Sequence, residues 1–141
     1  MPKHQSNVLS AVVDDDRGAV SADLTIVTPV LLLVLLLIVQ IALWAHATHI
    51  AQAAASQGLA AARTYGGSAE LGTARAQQVL DELARGPLTE ASVDSNRSAT
   101  SASIRIKGTA TQVVPFLRLA VRAEASGPVE RFVPSNTGET P

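Results

Sequence analysis

The sequence predicts an α+β fold: a single N-terminal transmembrane helix continues into an alanine-rich helix, followed by a second short helix and a small antiparallel sheet. Three observations support this fold class. The segment from Leu24 to Ala45 contains no charged residue. Small and apolar residues then recur at helical spacing as far as Leu83. Beyond residue 100, two segments alternate between apolar and polar residues, as half-buried strands do.

The apolar segment is long enough to cross a bilayer. From Leu24 to Ala45 it would form roughly 33 Å of helix, and the hydrocarbon core of a bilayer is about 30 Å thick. Its apolar side chains run all round the helix, which is typical of contact with lipid. Trp44 lies near its end, where an interfacial aromatic residue is expected. Pro29 removes a backbone donor inside the helix, so we expect a kink there.

The basic residues predict the orientation of this segment. Lys3 and Arg17 precede it, whereas the next basic residue after it is Arg63. By the positive-inside rule, the N-terminus is cytoplasmic and the C-terminal domain is extracytoplasmic. An alternative is an ordinary secretory signal, because Ala45-His46-Ala47 has the form of a signal-peptidase site and cleavage there would release the domain. The apolar run before it is longer than such signals usually have.

The segment after the span remains helical in character. Small residues spaced by three and four form a stripe that consists of Ala47, Ala51, Ala54, Ala55, Gly58, Ala61 and Ala62. Such a stripe allows close approach of another helix, although a generally alanine-rich composition produces the same pattern. Tyr65-Gly66-Gly67 predicts a break.

A second helix is predicted after this break. Ser68 is a suitable N-cap, and Glu70 lies in the first turn. We place Arg85 in the last turn, before Gly86-Pro87 ends the helix. One apolar face is expected, formed by Ala76, Val79, Leu80 and Leu83.

The rest of the chain predicts strands. Ser101 to Lys107 and Leu119 to Ala125 alternate, and Pro115 between them favours a turn or a sheet edge. Val129 to Val133 is a candidate short strand. The predicted organisation is a leader at 1–18, the transmembrane helix at 19–47, an extracytoplasmic α+β domain at 48–133 and a disordered tail at 134–141.

Composition and motifs argue against several classes of function. The chain has 141 residues and a net charge of −1, so bulk charge gives no reason to expect a nucleic-acid partner. It has no cysteine, which excludes disulfides, thiolate zinc sites and cysteine nucleophiles. His46 and His49 share a helix face but have no third ligand nearby, and we interpret them as polar residues at the membrane surface. No nucleophile elbow or phosphate-binding loop is present. We predict no enzymatic activity, no cofactor and no metal site.

The most informative stretch is Arg17-Gly18-Ala19-Val20-Ser21-Ala22-Asp23, directly before the apolar run. It resembles a prepilin processing site, which a membrane-embedded aspartyl peptidase cuts after the glycine on the cytoplasmic side. The resemblance implies that Gly18 ends the leader, that Ala19 begins the mature chain and that Asp23 is the acid at mature position five.

Elementary chemistry is compatible with that role. Glycine lowers the helical preference at the bond to be cut. The new α-amino group at Ala19 would lie one helical turn from the Asp23 carboxylate, so the two charges can pair near the lipid boundary. Asp23 is alternatively a simple N-terminal cap of the membrane helix, and the two roles can coexist.

Over roughly residues 15–133, and most specifically over 17–65, the chain resembles the TadE-like family of the tight-adherence (Tad, or Flp) pilus systems. The resemblance rests on the short leader, the helix containing Pro29, the alanine-rich continuation ending in Ala60-Ala61-Ala62-Arg63 and the small α+β tail with Val113-Val114-Pro115. The family usually carries glutamate where this chain has Asp23. The resemblance implies a bacterial minor pilin or pseudopilin whose partners are membrane lipid, the prepilin peptidase, other pilin subunits and Tad assembly proteins.

The sequence therefore predicts one function and leaves one alternative open. The first is that of a non-catalytic minor pilin or pseudopilin in the bacterial plasma membrane. The alternative is a membrane-anchored accessory or scaffold protein of the cell envelope or a secretion apparatus, unrelated to pili.

Overall fold

The computed structural model describes residues 7–130, with side-chain positions from Thr25 onward. Within this range the elements are α1 (Asn7–Arg63), α2 (Ala69–Leu83), β1 (Leu88–Arg97), β2 (Ser101–Ala110) and β3 (Ala120–Pro128). The strands form one antiparallel sheet in the order β1-β2-β3. The predicted α+β fold is confirmed. The chain divides into two compact units, one ending at Val39 and one beginning at Gln40.

In the first unit, the described side chains of α1, at residues 25–39, are exposed and mostly apolar. Its large apolar side chains from Ile26 to Val39 are 39–69% exposed to solvent, in agreement with a helix whose surroundings would be lipid. Among the described residues, the segment Thr25–Arg63 is the one helix long and apolar enough to cross a membrane.

The start of α1 differs from the expectation for the leader. Residues 1–17 of the predicted leader show no helical or strand periodicity, which predicts a mobile segment, but α1 begins at Asn7. Periodicity reports burial of one face and not helix formation itself. Extending an existing helix avoids the cost of nucleation, so the apolar helix that follows can propagate into residues 7–17.

In the second unit, one face of α1 forms the helical side of the core. The buried residues on this face are Ala47, Ile50, Ala51, Ala54, Ala55, Gly58 and Ala62. The small-residue stripe predicted from the sequence is therefore a packing surface and not merely a result of composition. Its members contribute little volume, so neighbouring elements come close to the helix backbone.

Two glycines mark the closest approach between α1 and α2. A Cβ atom on Gly58 would lie 2.8 Å from the Gly72 carbonyl oxygen and 2.9 Å from Ala76 Cβ. A Cβ atom on Gly72 would lie 2.8 Å from Ala62 Cβ and 3.0 Å from the Gly58 carbonyl oxygen. The same added Cβ atoms would lie 3.4 and 3.0 Å, respectively, from side-chain carbons of Ile104 in β2. Neither site has room for a methyl group.

The turn between the helices and the start of α2 agree with the prediction. α1 ends at Arg63, and Gly66 adopts a φ of +77°, which glycine accepts without strain. The Ser68 hydroxyl accepts a hydrogen bond from the Leu71 backbone N–H at 3.1 Å, as an N-cap should. Hydrogen bonds from its own backbone N–H and from Ser68 lower the pKa of Glu70.

The end of α2 requires two corrections. Leu83, which we placed on the apolar face, is 54% exposed, and the buried residues are Gly72, Ala76, Val79 and Leu80. Leu83 is the last residue of α2 and lies beyond the buried positions, which end at Leu80. Arg85 lies beyond the last turn, where its Nε donates to the Asp81 carbonyl oxygen at 2.8 Å. It therefore satisfies one of the carbonyls that the helix leaves unpaired.

The central strand β2 supplies the largest core side chains. Ile104 and Ile106 are fully buried, and they pair across the ladder with Ala125 and Ala123 of β3. On the opposite face Arg105 forms an exposed 3.0 Å salt bridge with Glu124, its direct partner in the register. Both alternating segments are thus strands, as predicted.

Strand β1 was not predicted as a strand. Most of its side chains are exposed, and Leu88 is its one buried side chain, so its sequence lacks the alternation of a half-buried strand. A bulge between Thr89 and Ser92 interrupts its pairing with β2. Glu90 lies in this bulge with a φ of +54°. Opposite it is Gly108, where a Cβ atom would lie 2.9 Å from Leu88 Cδ1.

The end of the sheet is at Pro128. Val129 and Glu130 lie outside the strands, although their N–H groups donate to the carbonyls of Thr100 and Arg63 at 3.0 Å. The candidate strand at 129–133 is therefore absent at its first two residues, and the rest of it lies outside the described residues, as does the predicted tail at 134–141.

The tight crossing generates a stability prediction. We expect Gly58→Ala to destabilise the protein, because overpacking costs about 1–3 kcal/mol, more than the roughly 1 kcal/mol that alanine gains over glycine in a helix. The measurement is urea unfolding of the full chain in detergent, followed by the fluorescence of Trp44, its one tryptophan. Ala53→Ser is the matched control, since it adds a single atom on the exposed face of the same helix. A Gly58→Ala protein as stable as its parent would contradict the close approach.

Candidate functional site

The predicted processing segment lies within α1. The backbones of Gly18, Ala19 and Asp23 are helical. Residues 19 and 23 are separated by the four positions that bring side chains onto one helix face. Side-chain positions begin at Thr25, so the pairing of the Ala19 amine with Asp23 lies outside the described side chains and stays a prediction.

Pro29 and Trp44, the two residues predicted to mark the membrane helix, differ in what the structure shows of them. α1 continues through Pro29 without interruption, and the kink expected there stays a prediction. Trp44, which we assigned to an interfacial belt, is 39% exposed. Its indole Nε1 donates to the Ala120 carbonyl oxygen at the start of β3, at 3.0 Å. The polar edge of the indole is therefore satisfied by the protein itself, while part of the ring stays open to the surroundings.

Gln40 is the functional feature that sequence analysis missed. Its side chain is fully buried. Its Oε1 accepts from the backbone N–H groups of Val113 and Val114, at 2.7 and 3.1 Å, and its Nε2 donates to the Thr111 carbonyl oxygen at 3.1 Å. One available signal was that Gln40 is the single amide within the apolar run from Pro29 to Ala45. A polar group in such a run is expected to have a defined partner.

The partner of Gln40 is the loop between β2 and β3, residues 111–119, which we call the β2–β3 loop. The Ala110 N–H donates to the Leu119 carbonyl at 2.9 Å and closes its base. The Leu117 N–H donates to the Val114 carbonyl at 3.3 Å, forming the turn predicted at Pro115. At its tip Phe116 adopts a φ of +66° and is 99% exposed.

Gln40 and Trp44 together form a clamp, which we call the Gln40–Trp44 clamp. The two side chains are one helical turn apart on α1 and bind the backbone at the two ends of the β2–β3 loop. Amide and indole groups of this kind position a loop but offer no nucleophile, acid or base for chemistry. Within residues 25–130 no three His, Asp or Glu side chains come close enough together to hold a metal ion, and His46 and His49 are exposed.

Comparison with known proteins agrees with the resemblance seen in the sequence. Residues 18–59 match the family model described as TadE-like protein. The matched segment begins at Gly18, covers the apolar helix with Gln40 and Trp44, and ends one residue after Gly58. It confirms the predicted relation to the TadE-like family over this part of the chain. No curated protein and no solved structure matches the chain.

The clamp generates a prediction about local order. Gln40→Leu removes three hydrogen bonds to the β2–β3 loop, and leaving buried polar groups unpaired costs about 1–3 kcal/mol each. We expect lower stability together with faster hydrogen exchange at the amides of Val113 and Val114. Gln52→Leu is the matched control, because Gln52 is an exposed glutamine on the same helix. Unchanged exchange at both amides in Gln40→Leu would show that the loop is ordered without the clamp.

Proposed function

We propose that this chain is a non-catalytic minor pilin, or pseudopilin, of a tight-adherence (Tad, Flp) pilus system in a bacterium. The observation that carries the proposal is the TadE-like match at residues 18–59. This segment includes the apolar part of α1, which could span a membrane, and most of the alanine-rich face on which the α+β unit packs. Its partners would be membrane lipid, the prepilin peptidase, other pilin subunits and Tad assembly proteins, and it would need no cofactor.

The packing of the second unit supports retention of the helix with the domain. A signal-peptidase cut after Ala47 would separate Gln40 and Trp44 from the β2–β3 loop and from β3, to which both are hydrogen-bonded. It would thereby leave buried polar groups without partners. A cut after Gly18 removes none of these contacts. The structure therefore favours the prepilin-type site over release of a soluble domain.

The proposed topology has a cytoplasmic N-terminus and an extracytoplasmic α+β domain, because Lys3 and Arg17 precede the span and no basic residue follows it before Arg63. We expect protease added to intact spheroplasts to digest the chain beyond Ala62. A cytoplasmic membrane protein without an external domain serves as the control for spheroplast integrity. Full protection of the domain in intact spheroplasts would reverse the orientation.

Processing between Gly18 and Ala19 is the most direct test of the function. Removal of residues 1–18 lowers the mass by about one eighth of the 14.6 kDa chain, and N-terminal sequencing should then begin at Ala19. We expect Gly18→Leu to block the cut, because leucine favours the helix and crowds the protease. Val20→Leu is the control, as it places leucine near the site but not at the bond. A start at the original N-terminus in the parent would favour the accessory or scaffold alternative.

Asp23 is expected to matter more for assembly than for cleavage. Buried charges are tolerated when paired, and loss of one partner from such a pair costs about 3–5 kcal/mol, against at most about 1 kcal/mol for an exposed pair. Asp23→Ala should therefore yield mature-sized protein in the membrane but reduce its recovery with pilus components. Asp23→Glu should assemble, since it keeps the charge. If Asp23→Ala assembles like the parent, the carboxylate is only a helix cap; if it is not cut, the acid belongs to peptidase recognition.

A further inference from the structure

The β2–β3 loop is fixed to a part of α1 that belongs to the apolar run of the sequence. Gln40 binds one side of the loop through Thr111, Val113 and Val114, and Trp44 binds Ala120 just beyond its other end. The uncharged run extends to Ala45. At about 1.5 Å per residue, Gln40 lies about 7 Å inside the end of that run. The loop therefore lies beside the last two turns of the proposed span.

The loop exposes apolar side chains at that depth. Phe116 is 99% exposed, Val113 is 37% exposed, and on the neighbouring turn of α1 Ile41 is 51% exposed. A single exposed apolar residue is ordinary on a protein surface, but these residues lie beside a helix segment that is itself apolar, so together they form a larger apolar surface. Phe116 also holds a left-handed backbone conformation, which is uncommon for a bulky residue and carries a conformational cost.

The polar groups of the loop are compatible with a position at the edge of the bilayer. Residues 111–117 include no charged side chain, and the next residue, Arg118, is paired with Glu90 at 2.9 Å. Non-helical backbone at membrane depth requires hydrogen-bond partners. The clamp residue Gln40 supplies them for Thr111, Val113 and Val114, and the Val114 carbonyl accepts from Leu117 and from the Gln112 side chain.

From this arrangement we infer that the β2–β3 loop is a second membrane contact: Phe116 and Val113 insert into the outer interfacial region of the bilayer that α1 crosses. The occupant is lipid and not another protein, because the loop is held at the depth of the apolar run, its residues 111–117 offer no charged group, and Arg118 is paired with Glu90. The inference rests on the proposed membrane anchoring by α1. Its consequence is that the α+β unit is held against the membrane surface at a second point.

The test uses the absence of cysteine from the chain. Single cysteines replace Phe116, Val113, Thr100 in the exposed β1–β2 turn, or Leu36 within the apolar helix, and each carries a nitroxide label. The full chain is reconstituted into phosphatidylcholine and phosphatidylglycerol vesicles. Collision rates with oxygen, which concentrates in lipid, and with a water-soluble nickel complex are then measured by electron paramagnetic resonance.

We expect oxygen-to-nickel collision ratios at positions 116 and 113 that are several-fold above the ratio at 100 and below that at 36. If the ratios at 116 and 113 equal that at 100 while position 36 gives a lipid-like ratio, the loop contact is overturned and the membrane anchoring by α1 is supported. An aqueous ratio at 36 would overturn both. Labels at 116 and 113 shielded from both reagents, with spectral broadening lost on dilution with unlabelled protein, would assign the loop to a second copy and overturn the lipid assignment. Positions 116 and 113 are labelled in separate variants, so that the result does not depend on one substitution. Each variant is also required to have the Trp44 fluorescence of the parent, which excludes misfolded protein.

Discussion

The crossing of α1 and α2 at Gly58 and Gly72 is the constraint on which the second unit depends. Each glycine faces the backbone oxygen of the other, and a methyl group at either would meet atoms that have no freedom to move aside. Ile104 of the central strand contacts the same place, so the crossing also sets the distance from the helices to the sheet. The remaining core side chains of α1 are almost all alanine, because the space that this approach leaves is small.

A core built largely from alanine buries little apolar area on the α1 side, so polar contacts contribute to holding the helix and the sheet together. Alanine side chains bury little apolar area, so each contributes less hydrophobic stabilisation than a leucine would. Beyond the alanine face, the helix holds the β2–β3 loop and the start of β3 through hydrogen bonds: Gln40 donates to Thr111 and accepts from Val113, and Trp44 donates to Ala120. Similarly, Arg97 donates to the Ala62 carbonyl at 2.7 Å, linking the end of β1 to the last turn of α1. Backbone contacts of this sort do not depend on the identity of the residues they reach.

The parts of the fold that sequence predicts are those with a local signal. The apolar helix, the cap at Ser68, the break at Gly66 and the alternation around Ile104 each lie within a few neighbouring residues. The features that sequence analysis missed depend instead on contacts between distant parts of the chain. β1 is mostly polar, and it is a strand because β2 lies beside it. Gln40 finds its partners 71–74 positions along the chain, and no local pattern encodes that distance. The proposed processing residues Gly18, Ala19 and Asp23 were predicted by resemblance, because the role proposed for them would depend on a protease and not on packing within the chain.

The bulge in β1 has a consequence for how copies of the protein meet. An edge strand offers unpaired backbone groups to any other strand, and proteins concentrated in one place are exposed to that hazard. Here the two residues opposite Gly108 interrupt the regular ladder near the start of β1. Glu90 in the bulge is held by Arg118 and Thr109, so the interruption is anchored by side chains. A foreign strand would find a continuous run of partners only from Ser92 onward, beside the charge of Asp94. The β1 edge of the sheet is thus poorly suited to pairing with a strand from a second copy, because only its last six residues, 92–97, offer a regular ladder.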